Sequence, residues 1–554
     1  MQNAPYPWRE VDQGTNLRQL MAIWQEKNAD KLAFRYQEVG EEEIVEISYP
    51  RFAEDICALG TAFLNLGLQG AKIAVVGDNS YDWIVTYFAA TNSGNIIVPL
   101  DRDLNTVEIG YLLQRSGCKA IVSTAKYNGL LDEIEPTLPD LEHRLLVGPG
   151  ESLRALMEKG RELYQKGDTA FANVVLDDDA LTALLFTSGT TGVAKGVMLS
   201  HRNLTSDVIA SIMSVELWGT TVLVLPLHHS FAFTTSVLCA LHSGTTICIN
   251  KTLKDLSPDL QLFKPDYLFL VPVIVSALHR RILQAMRKAG REAWLTKVME
   301  HSDALVALGV DLRRVIFKSI LDNFGGQLKL VISGGAALDA ALVAQYYSFG
   351  IDLREGYGTT ECSPVLAVNR NYYHKPGTIG PALPLVEIMI NDPDDQGEGE
   401  ICVKGDMVMQ GYYGDAEATA EAFINGWYRT GDIGKLDEDG FYSITGRAKN
   451  VIILSNGKNV YPEEMEMQVQ GLPGVREVVV YDENDLIVVE IFPDEEYLQE
   501  NPGVDIKVQL QQGIDAINEK LPRHKKMADL RIRDQEFEKT GSGKIRRTAI
   551  RRLK

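Results

Sequence analysis

Residues 184–204, LLFTSGTTGVAKGVMLSHRNL, lead an apolar run straight into small polar residues and then a lysine. Gly189 and Gly192 let backbone N–H groups turn toward one point, and the hydroxyls of Thr187, Ser188, Thr190 and Thr191 add donors. Such a nest suits a polyphosphate, with Lys195 as a mobile point charge beside it. The spacing is not that of a P-loop, because Lys195 is followed by Gly196. A plain Gly/Thr-rich surface loop is the alternative. Residues 356–364, GYGTTECSP, set Tyr357, Thr360 and Glu361 close together on a turn that also contains Gly356 and Gly358. The aromatic face can stack on a nucleobase, and the carboxylate can hold a hydrated magnesium that bridges phosphates. Alone, the nonapeptide reads equally as a turn with a solvated glutamate.

Three further segments carry comparable chemistry. SGGAAL, residues 333–338, ends a strand in Gly334, Gly335 and Ala336, small enough for a flat ring to approach the backbone or simply to make a strand-to-helix turn. In YRTGDIG, residues 428–434, Asp432 occupies a tight turn from which it can accept hydrogen bonds from both hydroxyls of a ribose. The alternative there is an ion pair with Arg447, which at a surface contributes about 0–1 kcal/mol. In EKTGSGKIRR, residues 538–547, Lys544 sits on a glycine-flanked loop that could reach into a distant site and retreat. Its charge would count most where negative charge develops in a transition state.

These segments, in this order, resemble the signatures of the adenylate-forming (AMP-binding) superfamily, which contains acyl-CoA synthetases, luciferases and peptide-synthetase adenylation domains. The resemblance covers nearly the whole chain and includes the long stretch GFYSITGRAKNVIILSNGKNVYPEEME, residues 440–466. It implies ATP, Mg2+ and coenzyme A as cofactors and co-substrates. It places Thr187, Ser188, Gly189, Thr190, Thr191, Gly192 and Lys195 on the phosphates, and Gly334, Gly335, Ala336, Gly356, Tyr357 and Gly358 around the adenine. Thr360 falls to the α-phosphate, Glu361 to Mg2+, Asp432 to the ribose, and Arg447 to ribose or phosphate, with Ile444 also among the nucleotide contacts. Lys449 matches the hinge about which a C-terminal domain swings; many members carry aspartate there and others lysine. Residues 455–459, Gly457 included, resemble the segment lining the pantetheine channel, and Lys544 matches the lysine bridging the acid carboxylate and the α-phosphate. PLHHSFAF, residues 226–233, resembles the acyl-pocket wall, with His229 at the family's aromatic-or-histidine position. Six basic residues among the last eleven form either a solvated tail or a partner for the 3′-phosphate of coenzyme A.

The elements that must position these residues follow from periodicity. Short β-branched runs such as KIAVVGDN, NIIVPL, TVLVLPL and KLVISGG alternate with helical spacing, which predicts largely parallel sheets covered on both faces. Residues 280–323 read as a charged, mainly helical insertion, which resembles the long-chain fatty acid branch of the superfamily. From about residue 385 the pattern turns strand-rich, and after Arg447 it restarts as an α+β block. The expected fold is α/β: an N-terminal adenylation domain (1–448) of two mainly parallel αβαβα-type sheets, with a β subdomain at about 385–448. A small mobile α+β domain (449–554) completes it.

Composition bounds the function. Fifty-five basic residues against 75 acidic ones give a formal charge of −20, which argues against nucleic-acid binding and requires a local positive site for any anionic substrate. Six scattered cysteines form no metal or disulfide pattern, and neither a secretory leader nor a bilayer-spanning run is legible. The chain is therefore expected to be cytoplasmic, without integral membrane contact. The function expected is ATP-dependent activation of a carboxylic acid through acyl-AMP and transfer to coenzyme A. Phe231, Phe233, Val237 and Leu238 surround His229 with no cation among them, which points to a medium- or long-chain fatty acid. A ligase acting on an acyl carrier protein, or a stand-alone adenylation enzyme, is the alternative.

Overall fold

The computed structural model describes residues 6–187, 194–288, 290, 297–299, 302, 306, 308–454, 459–483, 486–539, 545–547 and 550. Two compact units emerge, one of residues 1–387 and 404–421, the other of residues 388–403 and 422–554. The 448/449 boundary expected from the sequence lies inside the second unit, which also takes most of the strand-rich 385–448 stretch.

The first unit holds two mixed sheets. One has seven strands in the order Gly411–Tyr412, Lys195–Ser200, Leu181–Thr187, Ile96–Pro99, Lys72–Val76, Ala120–Ser123 and His143–Leu146. Its five sequential strands from Leu181–Thr187 onward pair in parallel, and the other two add antiparallel at one edge. The other sheet has eight strands, among them Tyr267–Leu270, Leu330–Ser333 and Asp352–Gly358 in parallel, with Val365–Val368 antiparallel at the edge. Lys72–Val76 and Tyr267–Leu270 are apolar at nearly every position because helices cover both faces of such strands. Helix Tyr81–Asn92 is buried along its whole length, and its Ser80 side chain accepts the Trp83 N–H as N-cap. Helix Pro272–Lys288 starts ahead of the expected helical insertion and runs into it, and its Leu278, Ile282 and Met286 join a core with Phe317, Phe324 and Phe349. Among the described residues no helix is long and apolar enough to cross a membrane.

The second unit is built around antiparallel strands that include Gly399–Lys404, Trp427–Leu436 and Tyr442–Arg447. It also contains a three-stranded sheet, Val475–Glu483, Leu486–Pro493 and Met527–Ile532, whose core is completed by helices Pro462–Gln470 and Ile506–Lys520.

One buried histidine makes the first unit acid-sensitive. His201 is 2% exposed, its Nδ1 accepts the Leu17 N–H at 3.3 Å, and burial lowers its pKa to about 4. The unfolded chain takes up this proton near pH 6.5, so stability is intact above that value and falls as pH drops toward 4. The loss attributable to His201 is on the order of 3 kcal/mol across that window. Chemical denaturation of wild type and His201→Asn between pH 7 and about pH 5 should show this part of the slope removed in the variant.

Candidate active site

The hairpin of strands Leu181–Thr187 and Lys195–Ser200 brings Thr187 directly opposite Lys195, and the Thr187 hydroxyl lies 3.5 Å from the Lys195 carbonyl oxygen. Ser188, Gly189, Thr190, Thr191 and Gly192, between these arms, lie outside the described residues, as do Gly457 and Lys544. Arg115 Nη1 donates to the Ala194 carbonyl at 2.5 Å and fixes the returning arm. Lys195 Nζ stands 4.5 Å from the ring centroid of Tyr412, over its face. The hydroxyl of that same tyrosine donates to Glu361 Oε1 at 3.0 Å. One aromatic side chain thus spaces the lysine from the carboxylate. Tyr412 is placed by antiparallel pairing with Val197, two residues beyond Lys195.

Thr360 and Glu361 ride on a 3₁₀ turn, Thr360–Cys362, directly after strand Asp352–Gly358. Ser230 Oγ donates to Thr360 Oγ1 at 3.1 Å, and Met409 N–H donates to the Glu361 carbonyl at 2.7 Å. Gly358 is pressed against the other limb: a Cβ there would stand 1.8 Å from the Pro364 carbonyl oxygen. Gly356 and Tyr357 remain half-buried on the strand. In the neighbouring segment Gly334 lies under the Phe231 ring, where a Cβ would meet Cζ at 2.8 Å, and Gly335 has φ +84°. Ala336 is exposed beyond them.

Two side chains behind these residues carried no local signal. Glu355 is buried and accepts the N–H groups of Leu338 and Gly377, each at 3.2 Å, so it ties the 333–338 segment to the strand bearing Tyr357. Burial raises its pKa to about 7. The second is His228, the neighbour of His229. His229 is exposed, whereas His228 is largely buried with Nε2 3.3 Å from Asp101 Oδ1, and the two imidazole centroids are 4.1 Å apart. Burial and the neighbouring His229 hold the His228 pKa down at about 2.

Past His229 one continuous helix runs from Ser230 to His242 and contains a six-residue π-helical segment, Thr234–Cys239. Such widened turns gather at functional sites; here Thr234 Oγ1 donates to the Ser363 carbonyl at 2.9 Å. Phe233 packs into the core against Tyr87 at 3.8 Å, and Val237 and Leu238 are buried, whereas Phe231 keeps a half-exposed face.

The second unit presents its residues separately. Asp432 and Arg447 are cross-strand partners, with Arg447 Nε 2.6 Å from Asp432 Oδ1. Asp432 is 2% exposed. The pair is therefore more than a surface contact, because one charge is withdrawn from water and held by the other. Ile444 is half-buried on the same strand as Arg447, and Lys449 is exposed just beyond it.

The donor set fits a magnesium ion carried in with a nucleotide. Among the described residues no group of three or more His, Cys, Asp or Glu side chains could cage a metal, whereas Glu361 offers one oriented carboxylate. Mg2+ favours such an arrangement, with one or two carboxylates completed by phosphates and water.

Comparisons with known proteins identify the family. The family model described as AMP-binding enzyme matches residues 21–413, and that described as AMP-binding enzyme C-terminal domain matches residues 449–553. The chain is 30% identical over 456 residues to the long-chain-fatty-acid–CoA ligase FadD15 of Mycobacterium bovis, covering 78% of this chain and 75% of that one. It is 28% identical over 446 residues to a feruloyl-CoA synthase of Amycolatopsis sp, covering 78% and 80% respectively. The crystal structure of ATP-bound MatB from Rhodopseudomonas palustris superposes with a TM-score of 0.77 at 25% identity, over 98% of this chain and 99% of that one.

Proposed function

We propose, from the premise that the chain belongs to the AMP-binding enzyme family and is an AMP-forming acid–CoA ligase, that its acid is a medium- or long-chain fatty acid. In the first half-reaction an acid carboxylate oxygen bonds to the α-phosphorus of ATP and the bond to pyrophosphate breaks. In the second, the sulfur of coenzyme A bonds to the acyl carbon, AMP leaves, and the thiol proton passes to solvent. Little covalent protein chemistry is required, so positioning and charge neutralisation carry the catalysis.

The residues then take the roles that resemblance to the family implies. Thr187, Lys195 and the 188–192 segment hold the phosphates. The Ser230 hydroxyl orients Thr360 toward the α-phosphate, and Tyr412 orients Glu361 toward the metal. Mg2+, when bound, supplies neutralisation of phosphate charge. Tyr357 and the 334–336 backbone flank the adenine, Asp432 accepts from the ribose and Arg447 pairs with that carboxylate. Lys544 meets the reacting carboxylate, and Lys449 is the pivot between the two half-reactions.

The fatty-acid reading is carried by the wall next to Thr360. From Ser230 to His242 no acidic or basic side chain other than the terminal His242 occurs, and Phe231 offers an apolar face beside Gly334. Likeness to FadD15 adds support, while likeness to a feruloyl-CoA synthase favours a second reading, an aromatic acid. Pyrophosphate release with MgATP and coenzyme A should be compared across butyrate, octanoate, palmitate and ferulate. For a fatty-acid ligase kcat/KM should rise with chain length, by up to about fourfold per methylene while the chain remains buried. Preference for ferulate would replace the fatty-acid reading. Release that halts after one equivalent despite coenzyme A would make a carrier protein the acceptor.

A further inference from the structure

Strand Lys195–Ser200, the returning arm of the phosphate hairpin, runs directly into helix His201–Ser214 through a capping box of Ser200 and Asn203. Two turns into this helix Asp207 is completely buried. Its Oδ1 accepts the Val365 N–H at 3.1 Å, and its Oδ2 has no hydrogen-bond partner. Val365 begins the strand that follows the turn carrying Thr360 and Glu361. The same turn is gripped from two other sides, by Thr234 Oγ1 on the Ser363 carbonyl and by Ser363 Oγ on the Met407 carbonyl, both at 2.9 Å.

A buried carboxyl with one oxygen unsatisfied is a poor stabiliser, and its one bond is to the buried Val365 N–H, which would be left without an acceptor if the group were removed. What the group gains is directional. It is a rigid acceptor on the helix that continues the phosphate arm, and it is aimed at the backbone that sets where Glu361 projects. We propose that Asp207 is a positioning residue that, through its hydrogen bond to Val365 N–H, locks the Thr360–Glu361 turn to the helix leaving the phosphate hairpin. Burial raises the Asp207 pKa well above the ordinary carboxylate value, and asparagine keeps an oxygen acceptor at the same place for the Val365 N–H. This inference rests on Glu361 being the metal ligand of the reaction proposed above.

The test is calorimetric binding of MgATP, and of ATP with EDTA, to the full-length protein without acid or coenzyme A. Wild type should bind MgATP more tightly. Asp207→Ala, and the apolar Asp207→Val should the alanine variant not fold, should lose about tenfold in MgATP affinity and clearly less in ATP affinity in EDTA, where only the Thr360 contact is affected. Asp207→Asn should retain the wild-type difference. Equal loss with and without metal, or an asparagine variant as impaired as alanine, would overturn the inference. Glu361→Gln separates the two claims. If it leaves the metal-dependent difference intact, the assignment of Glu361 is wrong; if it abolishes the difference and Asp207→Ala does not, Asp207 is not the positioning residue.

Discussion

Replacing Lys544 with alanine should lower acid-dependent pyrophosphate release by on the order of 10²–10³-fold, the usual consequence of removing one donor aimed at developing charge. Conversion of a supplied acyl-adenylate to its coenzyme A thioester should survive in the same variant. The split follows from the chemistry. Pentavalent phosphorus forms only in the first half-reaction, whereas in the second the reacting centre is the carbonyl carbon from which AMP leaves. The chain on either side of residues 540–544 is firmly held. Lys539 and Ile545 form an antiparallel bridge, and Arg546 N–H donates to the Glu538 carbonyl at 2.7 Å. Glu477 accepts the Phe537 N–H at 2.9 Å and pairs with Lys539, while Arg547 Nη1 donates to the Val480 carbonyl at 3.1 Å and its other terminal nitrogen pairs with Glu466. These anchoring bonds do not involve the Lys544 side chain, so the alanine variant should unfold at the wild-type temperature. Rapid-quench assays of the two half-reactions decide the point. Equal losses in both, with a lowered Tm, would make Lys544 a structural residue.

How much was legible depended on whether a feature is local in the chain. Thr187 and Lys195 share one local segment because they lie eight positions apart, and Thr360 and Glu361 because they are adjacent. The two strands that flank residues 188–193, and the strand that ends in Gly358, were visible in the same way. Tyr412 was not, although it links Lys195 to Glu361: it lies 51 residues beyond Glu361, and only antiparallel pairing with Val197 brings it there. Asp207 and Glu355 were missed for the opposite reason. Each sits within a recognisable element, but a carboxylate in a helix or strand pattern ordinarily signals a solvated face, and only tertiary structure reveals that both are buried against backbone amides. Periodicity likewise read residues 385–448 as one strand-rich stretch, yet compactness assigns 404–421 to the first unit. The reason is visible in the pairing, since Gly411–Tyr412 extends the sheet that contains the phosphate hairpin.

Gly358→Ala should remove most of the adenylation activity while leaving both units folded. The glycine is required by proximity and not by an unusual φ, for it is absent from the residues with positive φ. A methyl group there would stand 1.8 Å from the Pro364 carbonyl oxygen, 2.7 Å from its carbon and 3.0 Å from Val365 Cα, all backbone atoms that cannot rotate away. The two limbs must therefore separate, and the separation breaks the Thr359 N–H to Pro364 carbonyl bond, now 2.9 Å, that closes the turn. Thr360 and Glu361 lie within that loop, so a shift of about 1 Å at its base displaces the hydroxyl and the carboxylate from the phosphates together, a misplacement that can cost on the order of 100-fold. Steric strain with the lost hydrogen bond should cost about 2–4 kcal/mol, which a domain of this size survives with a reduced Tm. The expected pattern is a kcat lowered about 100-fold for pyrophosphate release, near-wild-type circular dichroism and a Tm lower by several degrees. Wild-type kcat in this variant would mean that the turn tolerates opening and that Glu361 does not depend on its closure.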